Sequence, residues 1–363
     1  MAGMPGPLHF DLSRDDPAAA QEAAIAALAR GELVVVPTET VYGLAAREDR
    51  PVGRKRLDAL KAGRNRPYSL ALAAGDVLRA RLAPWPHSAR RIAARWWPGP
   101  VTQLLPATDG TLLGLRVPGH AFTRALAGQT GPLLLPSANL PDQPAPRGVE
   151  ELSPEVLAAA SVVVDGGRAA LGEASTVVEP RPFCLRLVRE GVVGREELLR
   201  YALPLVLVVC TGNTCRSPMA ERLLRRALAQ GAAHEPGLVP PQVLSAGLQA
   251  EKAGAPSDHA VAALAELGLD LSDHATRLLQ HEPLARADLV LCMSLQHVAA
   301  VGELLAERPS PETPRVELFD PEGHDVVDPF GSDLARYRAV ARMLERMARR
   351  RADQLLAPWR PER

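Results

Sequence analysis

The sequence predicts an α/β protein of two domains, and three observations carry that expectation. Short apolar, β-branched runs alternate with helix-patterned stretches, several of those runs end in polar or glycine-rich segments, and 363 residues exceed what one ordinary core needs. In chain order, Met1 to Pro17 is polar and Pro/Gly-rich, so a loose or edge-pairing lead-in is expected before a helical run over Ala18 to Arg30, which Gly31 stops. Leu33 to Val36 is a run of the buried-strand kind, ended by Pro37. Leu133 to Leu135 runs into Pro136-Ser137, and Val162 to Val164 into Asp165-Gly166-Gly167. Both put polar residues at the C-terminal end of a strand, where α/β proteins build sites. Glu196 to Leu203 closes one unit, Pro204 breaks it, and Leu205 to Val209 starts a new buried strand. The boundary therefore falls near Tyr201, with domains expected at 1–200 and 204–360. With no internal repeat, the halves read as different folds joined head to tail.

Charge gives no case for nucleic acid or an anionic membrane, because 42 Lys and Arg balance 42 Asp and Glu. No leader pattern opens the chain and no apolar run reaches the ~20 residues that span a bilayer, so a soluble, cytoplasmic protein is expected. Four cysteines, Cys184, Cys210, Cys215 and Cys292, are too few for a disulfide scaffold and suit a reducing compartment. Cys184 and Cys292 are expected as small buried hydrophobes. His259, His274 and His297 are placed on helical stretches as surface or satisfied residues. No ligand-spaced partner accompanies them, so no protein-bound metal centre is expected.

Chemistry concentrates first in Cys210-Thr211-Gly212-Asn213-Thr214-Cys215-Arg216-Ser217, between the apolar run Leu205 to Val209 and a helical pattern opened by Pro218. Strand, loop and helix in that order make an anion site: backbone amides converge at a helix N-terminus, and Gly212 lets the chain curl round the ligand. The same field favours the thiolate of Cys210, the natural nucleophile. Arg216 can fork onto two phosphoryl oxygens, and Asn213 and Ser217 suit the work of holding loop and thiolate in shape. Cys215 can be a packed thiol or a partner for a protective disulfide with Cys210, and the sequence leaves both open. Such a thiolate enzyme needs an acid for the leaving group. Asp328, in the Pro/Gly-bearing loop Asp325-Val326-Val327-Asp328-Pro329-Phe330-Gly331, fits, ahead of an amphipathic helix over about Leu334 to Leu356.

The loop, Ser245-Ala246-Gly247, Ala287-Asp288-Leu289-Val290 and the late Asp-Pro together resemble the low-molecular-weight protein-tyrosine phosphatases over Leu205 to Leu356. Cys-Thr-Gly-Asn-Thr-Cys-Arg-Ser-Pro-Met-Ala-Glu and Asp-Pro-Phe-Gly are most similar to the bacterial protein-arginine phosphatases within that family. The resemblance implies a Rossmann-like short parallel sheet flanked by helices, and catalysis by Cys210, Arg216 and Asp328 without a cofactor. It also implies that Thr211, Gly212, Asn213, Thr214, Cys215 and Ser217 form the phosphate and substrate loop for a phosphorylated protein. Thr214 stands where tyrosine-directed members carry an aliphatic residue, which favours phosphoarginine over phosphotyrosine.

In the first half, residues alone give a cluster of strand-end hydroxyls and basic groups: Thr38 and Thr40, Lys61, Arg64 and Arg66, Ser137 and Asn139, Ser175 and Thr176. Such a set suits a polyphosphate, and a solvated Arg-rich helix end stands as the plainer reading. Pro37-Thr38-Glu39-Thr40-Val41-Tyr42-Gly43-Leu44, Trp97-Pro98-Gly99-Pro100-Val101-Thr102, Arg116-Val117-Pro118, Ser137-Ala138-Asn139, Asp165-Gly166-Gly167, Ser175-Thr176-Val177-Val178 and Arg189-Glu190-Gly191 resemble, in order, the YrdC-like threonylcarbamoyl-adenylate synthases over about residues 20–195. That likeness implies a twisted mixed sheet with helices. It further implies formation of threonylcarbamoyl-AMP from threonine, bicarbonate and ATP with Mg²⁺, and delivery to downstream tRNA-modification proteins. Lys61, Arg64, Ser137 and Asn139 would bind the ATP phosphates and Thr38 would help seat threonine. Two departures stand out: Lys61-Ala62-Gly63-Arg64-Asn65-Arg66-Pro67 lengthens or alters the family's Lys-x-Arg-Pro, and Pro141-Asp142 replaces its Ser-Gly. They leave a non-catalytic nucleotide-binding regulatory domain as the alternative.

Overall fold

The computed structural model describes residues 6–62, 67–74, 81–307 and 313–357. The lead-in is an edge strand, β1 (Leu8–Asp11), parallel to β8 (Ala160–Asp165). Helix α1 (Pro17–Ala29) starts where the Asp16 carboxylate accepts the Ala18 amide and Pro17 fills the first helical position, and the chain turns away at Gly31 with φ 74°. All four residues of β2 (Leu33–Val36) are buried, between β8 on one side and antiparallel β3 (Gly43–Arg47) on the other. Then come α2 (Pro51–Leu60), β4 (Ser69–Ala71), α3 (His87–Trp96), β5 (Val101–Pro106), β6 (Leu112–Arg116), α4 (Ala121–Thr130), β7 (Leu133–Leu134) and α5 (Pro154–Ala159). After β8, β9 (Thr176–Pro180), β10 (Leu185–Arg189) and α6 (Arg195–Ala202) complete this half. The strands form the expected mixed sheet, in the order β1-β8-β2-β3-β7-β4-β6-β5-β9-β10.

The second half is a parallel sheet. Central β11 (Leu205–Cys210) is flanked by β13 (Gln242–Gly247) and β14 (Leu289–Cys292), with β15 (Arg315–Leu318) beyond β14. Side chains alternate across a strand, and β11 is apolar throughout because both of its faces are covered. Val206 and Val208 meet α7 (Arg216–Ala232), α8 (Asp258–Ala265) and α11 (Leu334–Leu356), while Leu205, Leu207 and Val209 meet α9 (His281–Arg286) and α10 (Leu295–Glu307). Asp333 caps α11 by accepting the Arg336 amide at 3.0 Å, and Tyr337, Val340, Ala341, Leu344, Ala348, Ala352 and Leu355 give it one buried stripe.

The two halves meet beyond their linker: β12 (Leu238–Val239), from the second half, pairs antiparallel with β10 and extends the first sheet. An apolar pair covering a strand edge is the physical reason, and two residues are too few for periodicity to reveal. Polar contacts reinforce the junction. Arg91 of α3 reaches both carboxylate oxygens of buried Asp288 at 3.2 Å, and Asp288 also accepts the Leu205 amide at 2.8 Å. Arg181 donates to Glu179 at 2.9 Å and to Glu235 at 3.1 Å. His274, expected on a helix, sits in the loop between α8 and α9, because Gly268 at φ 73° ends the turn after α8.

Candidate active sites

At the C-terminal end of β11, the chain curls from Cys210 into the first turn of α7. Asn213 adopts φ 55°, a left-handed conformation that asparagine tolerates better than most residues. Its side chain is locked there: Nδ2 donates to Ser217 Oγ and Ser245 Oγ, each at 2.9 Å, and Oδ1 accepts the Arg277 amide at 2.8 Å. The Asn213 amide in turn donates to Cys210 Sγ at 3.2 Å, and Ser217 Oγ lies 2.9 Å from the same sulfur. A Cβ on Gly247 would stand 2.5 Å from the Thr211 carbonyl oxygen and 2.9 Å from the Asn213 nitrogen, so β13 must end in glycine for the loop to lie against it. Buried His274 completes this support, with Nε2 3.0 Å from the Asn213 carbonyl oxygen. Burial holds its imidazole below the usual histidine range.

Arg216 is buried, donating through one arm to the Val326 carbonyl at 3.2 Å and through the other to Asp328 Oδ2. Asp328, half-exposed, receives the Phe330 amide on Oδ1 at 3.1 Å, which fixes the acid loop over the cradle. Cys210, Thr211, Gly212, Thr214, Cys215, Arg216, Asp328 and exposed Phe330 line one open cleft. The structure thus brings the Cys210 thiol, the Arg216 guanidinium and the Asp328 carboxylate together, with an exposed aromatic ring at the rim. Cys215 Sγ sits 3.1 Å from Tyr337 Oη and 3.4 Å from Thr214 Oγ1. Cys184 and Cys292 are fully buried, and burial pushes each thiol up to about 12, as expected of inert core cysteines. Sequence reading passed over Arg277, His274, His297 and Tyr337 as supports of the loop, since each arrives from a distant segment. Ser245, visible only as part of a motif, belongs with them.

The first half carries a second cavity at the strand ends. Thr38 and Ser137 line it as expected, with Thr40 and Ser175. Thr102, Arg116 and Arg189, quoted above only inside motifs, line it too. Arg116 ties three segments together: it donates to Glu39 Oε1 at 2.6 Å, Thr40 Oγ1 at 2.9 Å and the Gly99 carbonyl at 3.0 Å. Arg189 donates to the Ser175 carbonyl at 2.6 Å, and Ser175 Oγ meets Thr102 Oγ1 at 2.9 Å. Lys61 is buried and donates to the backbone and side-chain oxygens of Asn139, whose Oδ1 also accepts Ser137 Oγ at 2.6 Å. Lys61 and Asn139 therefore join the cavity through Ser137 rather than by lining it. Thr38 Oγ1 is engaged with the Val41 carbonyl at 2.6 Å, and Thr176 turns instead to Val193. Arg64 and Arg66 lie outside the described residues. In the Pro141-Asp142 turn, Asp142 takes φ 61°, a left-handed conformation that aspartate tolerates better than most residues.

Hydroxyls and guanidinium groups suit a polyphosphate and leave the metal of a nucleotide to be held chiefly by the phosphates. Among the described residues, Asp320, Glu322 and His324 form one cluster of potential metal ligands, after β15. Its members are already engaged, His324 Nδ1 with Asp320 Oδ2 at 3.0 Å and Glu322 with Arg350. No described helix is long and apolar enough to cross a membrane.

Comparison with known proteins separates the two halves. The Sua5/YciO/YrdC family model, described as telomere recombination, matches residues 26–191, and that of low molecular weight phosphotyrosine protein phosphatase matches residues 205–358. In the first half, the chain is 32% identical over 201 residues to a threonylcarbamoyl-AMP synthase of Bacillus subtilis, covering 52% of this chain and 57% of that protein. It is 31% identical to a putative threonylcarbamoyl-AMP synthase of Mycobacterium leprae, covering 47% of this chain and 82% of the relative. The chain thus spans little more than half of the Bacillus subtilis synthase. In the second half, a protein-arginine-phosphatase of Bacillus subtilis is 37% identical over 150 residues, covering 41% of this chain and 95% of that one. A solved structure of a YwlE mutant from Bacillus subtilis is 34% identical and covers 42% of this chain and 98% of its own, with a TM-score of 0.37. Through its first half the chain belongs to the Sua5/YciO/YrdC family, and through its second to the low molecular weight phosphotyrosine protein phosphatases.

Proposed function

We propose that the chain is a bifunctional enzyme: a cysteine-dependent phosphoprotein phosphatase that favours phosphoarginine, fused to a threonylcarbamoyl-AMP synthase. The observation that carries the phosphatase half is the sulfur of Cys210, faced by the Asn213 amide at 3.2 Å and Ser217 Oγ at 2.9 Å, in a cleft that also holds Arg216 and Asp328. The Cys210 thiolate attacks phosphorus, the bond to the leaving nitrogen or oxygen breaks, and Asp328 delivers the proton that the leaving group takes away. Its carboxylate then accepts a proton from water, which displaces the sulfur and releases inorganic phosphate. Arg216 and the loop amides hold the equatorial oxygens while charge redistributes.

Thr214 in the cleft wall supports phosphoarginine, since its hydroxyl can bond a guanidinium leaving group where an aliphatic side chain would pack on a ring. Turnover of phosphoarginine and phosphotyrosine peptides, with Cys210→Ser as control, tests this. Thr214→Ile should shift the ratio toward phosphotyrosine, and an unchanged ratio would remove the basis for the preference.

For the first half, the cavity walled by Thr38, Ser137, Arg116 and Arg189 supports binding of ATP with threonine, the Arg side chains and Lys61 neutralising phosphate charge. Mg²⁺ bound with ATP would supply further charge neutralisation on the phosphates. The chain given ATP, threonine and bicarbonate should release pyrophosphate. Nucleotide binding without pyrophosphate would support the regulatory-module reading instead, toward which the altered Lys61–Pro67 segment points.

A further inference from the structure

The segment from Met293 into the first turn of α10 touches both walls of the phosphatase cleft. His297, buried on that turn, has Nε2 2.9 Å from Thr211 Oγ1 and Nδ1 2.7 Å from Ser294 Oγ. The Leu295 amide donates to Asp325 Oδ1 at 2.9 Å, and the Val326 amide to the Met293 carbonyl at 2.8 Å. Val326 is also the residue whose carbonyl accepts Arg216. His297 is therefore set between the loop that carries the nucleophile and the loop that carries the acid.

Its role differs from that of His274. His274 supports a backbone carbonyl beneath the loop, whereas His297 contacts a side chain that lines the cleft, on the residue next to the nucleophile. A neutral imidazole has one N–H and one bare nitrogen, and whichever group fills one position decides what the other offers. Burial favours the neutral ring, and the Arg216 charge adds to that against the opposing pull of Asp328 and Asp325. In the tautomer where the Ser294 hydroxyl donates to Nδ1, Nε2–H donates to Thr211 Oγ1. The proton of the Thr211 hydroxyl is then free to point into the cleft.

We propose that His297 is a positioning residue for the phosphatase reaction: oriented by Ser294, it donates to Thr211 Oγ1 and so presents the Thr211 hydroxyl proton to the phosphoryl oxygens or the leaving group. The proposal rests on the phosphatase reading of this cleft. It makes Thr211 a hydrogen-bond donor to substrate, and His297 the residue that decides which way that donor faces.

The test is steady-state hydrolysis of p-nitrophenyl phosphate by the full chain as wild type, His297→Ala, His297→Gln, Thr211→Val and the His297→Ala/Thr211→Val double variant. His297→Ala should lower kcat roughly 10-fold with KM little changed, a smaller effect than removing a direct oxyanion donor. Thr211→Val should show a similar loss, and His297→Gln, which keeps an amide donor, should recover most of the rate. In the Thr211→Val background the histidine change should cost less than about a further twofold, because the two side chains act as one unit. Equal losses from His297→Ala in both backgrounds, or wild-type kcat in Thr211→Val, would overturn the proposal. If the alanine variant does not fold, the glutamine and valine variants decide the matter by the same criteria. A wild-type chain no more active than Cys210→Ser would instead refute the phosphatase reading itself, before any comparison at His297.

Discussion

In the C-terminal cleft, the Cys210 thiol, the curled loop and the Arg216 guanidinium all come from unbroken sequence, Cys210 to Arg216, whereas the N-terminal cavity draws Thr38, Thr102, Arg116, Ser137, Ser175 and Arg189 from separate segments. The first arrangement arises because one strand-to-helix turn already aims its amides at a point, so chemistry needs only a thiol and an arginine placed on it. The second needs several strands of the sheet to be in place before its groups come together. A local site should therefore fail by loss of chemistry, and a dispersed one by loss of geometry.

The largest effect expected is at the nucleophile. Cys210→Ser should reduce p-nitrophenyl phosphate hydrolysis by at least ~10⁴-fold, since no neighbouring group replaces the thiolate. It should leave threonine-dependent pyrophosphate release untouched, and residual turnover near wild type would break the contrast. Asp328→Asn should come next, lowering kcat/KM, which reports the phosphorylation step, by about 10²–10⁴-fold with alkyl or guanidinium leaving groups and by much less with p-nitrophenol, which needs little protonation. A loss independent of the leaving group would assign Asp328 another task.

On the other side, Arg116→Ala should cut pyrophosphate release by roughly 10²-fold, because its contacts to Glu39, Thr40 and Gly99 are lost together, while phosphatase kcat stays unchanged. The smallest effect concerns reactivity. Iodoacetamide at pH 8 should label Cys210 and spare Cys184 and Cys292, whose thiols burial has pushed up to about 12, so that neither ionises at that pH. Peptide mapping by mass spectrometry reads this directly, and prompt labelling of Cys292 would contradict its place in the core.

The same contrast explains what the sequence made legible. The meeting of Cys210, Arg216 and Ser217 could be read because spacing along one turn sets it, and Asp328 stood out through the Asp-Pro-Phe-Gly resemblance. Ser245, His274, His297 and Arg277 could not, since each meets Asn213 or Thr211 only after distant segments pack. In the first half, strand ends pointed to Thr38 and Ser137. Nothing local distinguished Arg116 and Arg189 from the chain's many other arginines, because their meaning lies in which backbone carbonyls and hydroxyls they cross to reach. The Leu238–Val239 strand escaped for a related reason: its partner is an edge of the other half's sheet.

The central claim is that Cys210 becomes covalently phosphorylated during turnover. The most direct measurement is rapid denaturing quench of the Asp328→Asn chain during hydrolysis of p-nitrophenyl phosphate, whose leaving group needs little protonation, followed by peptide mass spectrometry. A phosphoryl group on the Cys210 peptide, absent from the Cys210→Ser/Asp328→Asn double variant, is the predicted result. Continuing turnover with no adduct on Cys210, or an adduct on another residue, would contradict it.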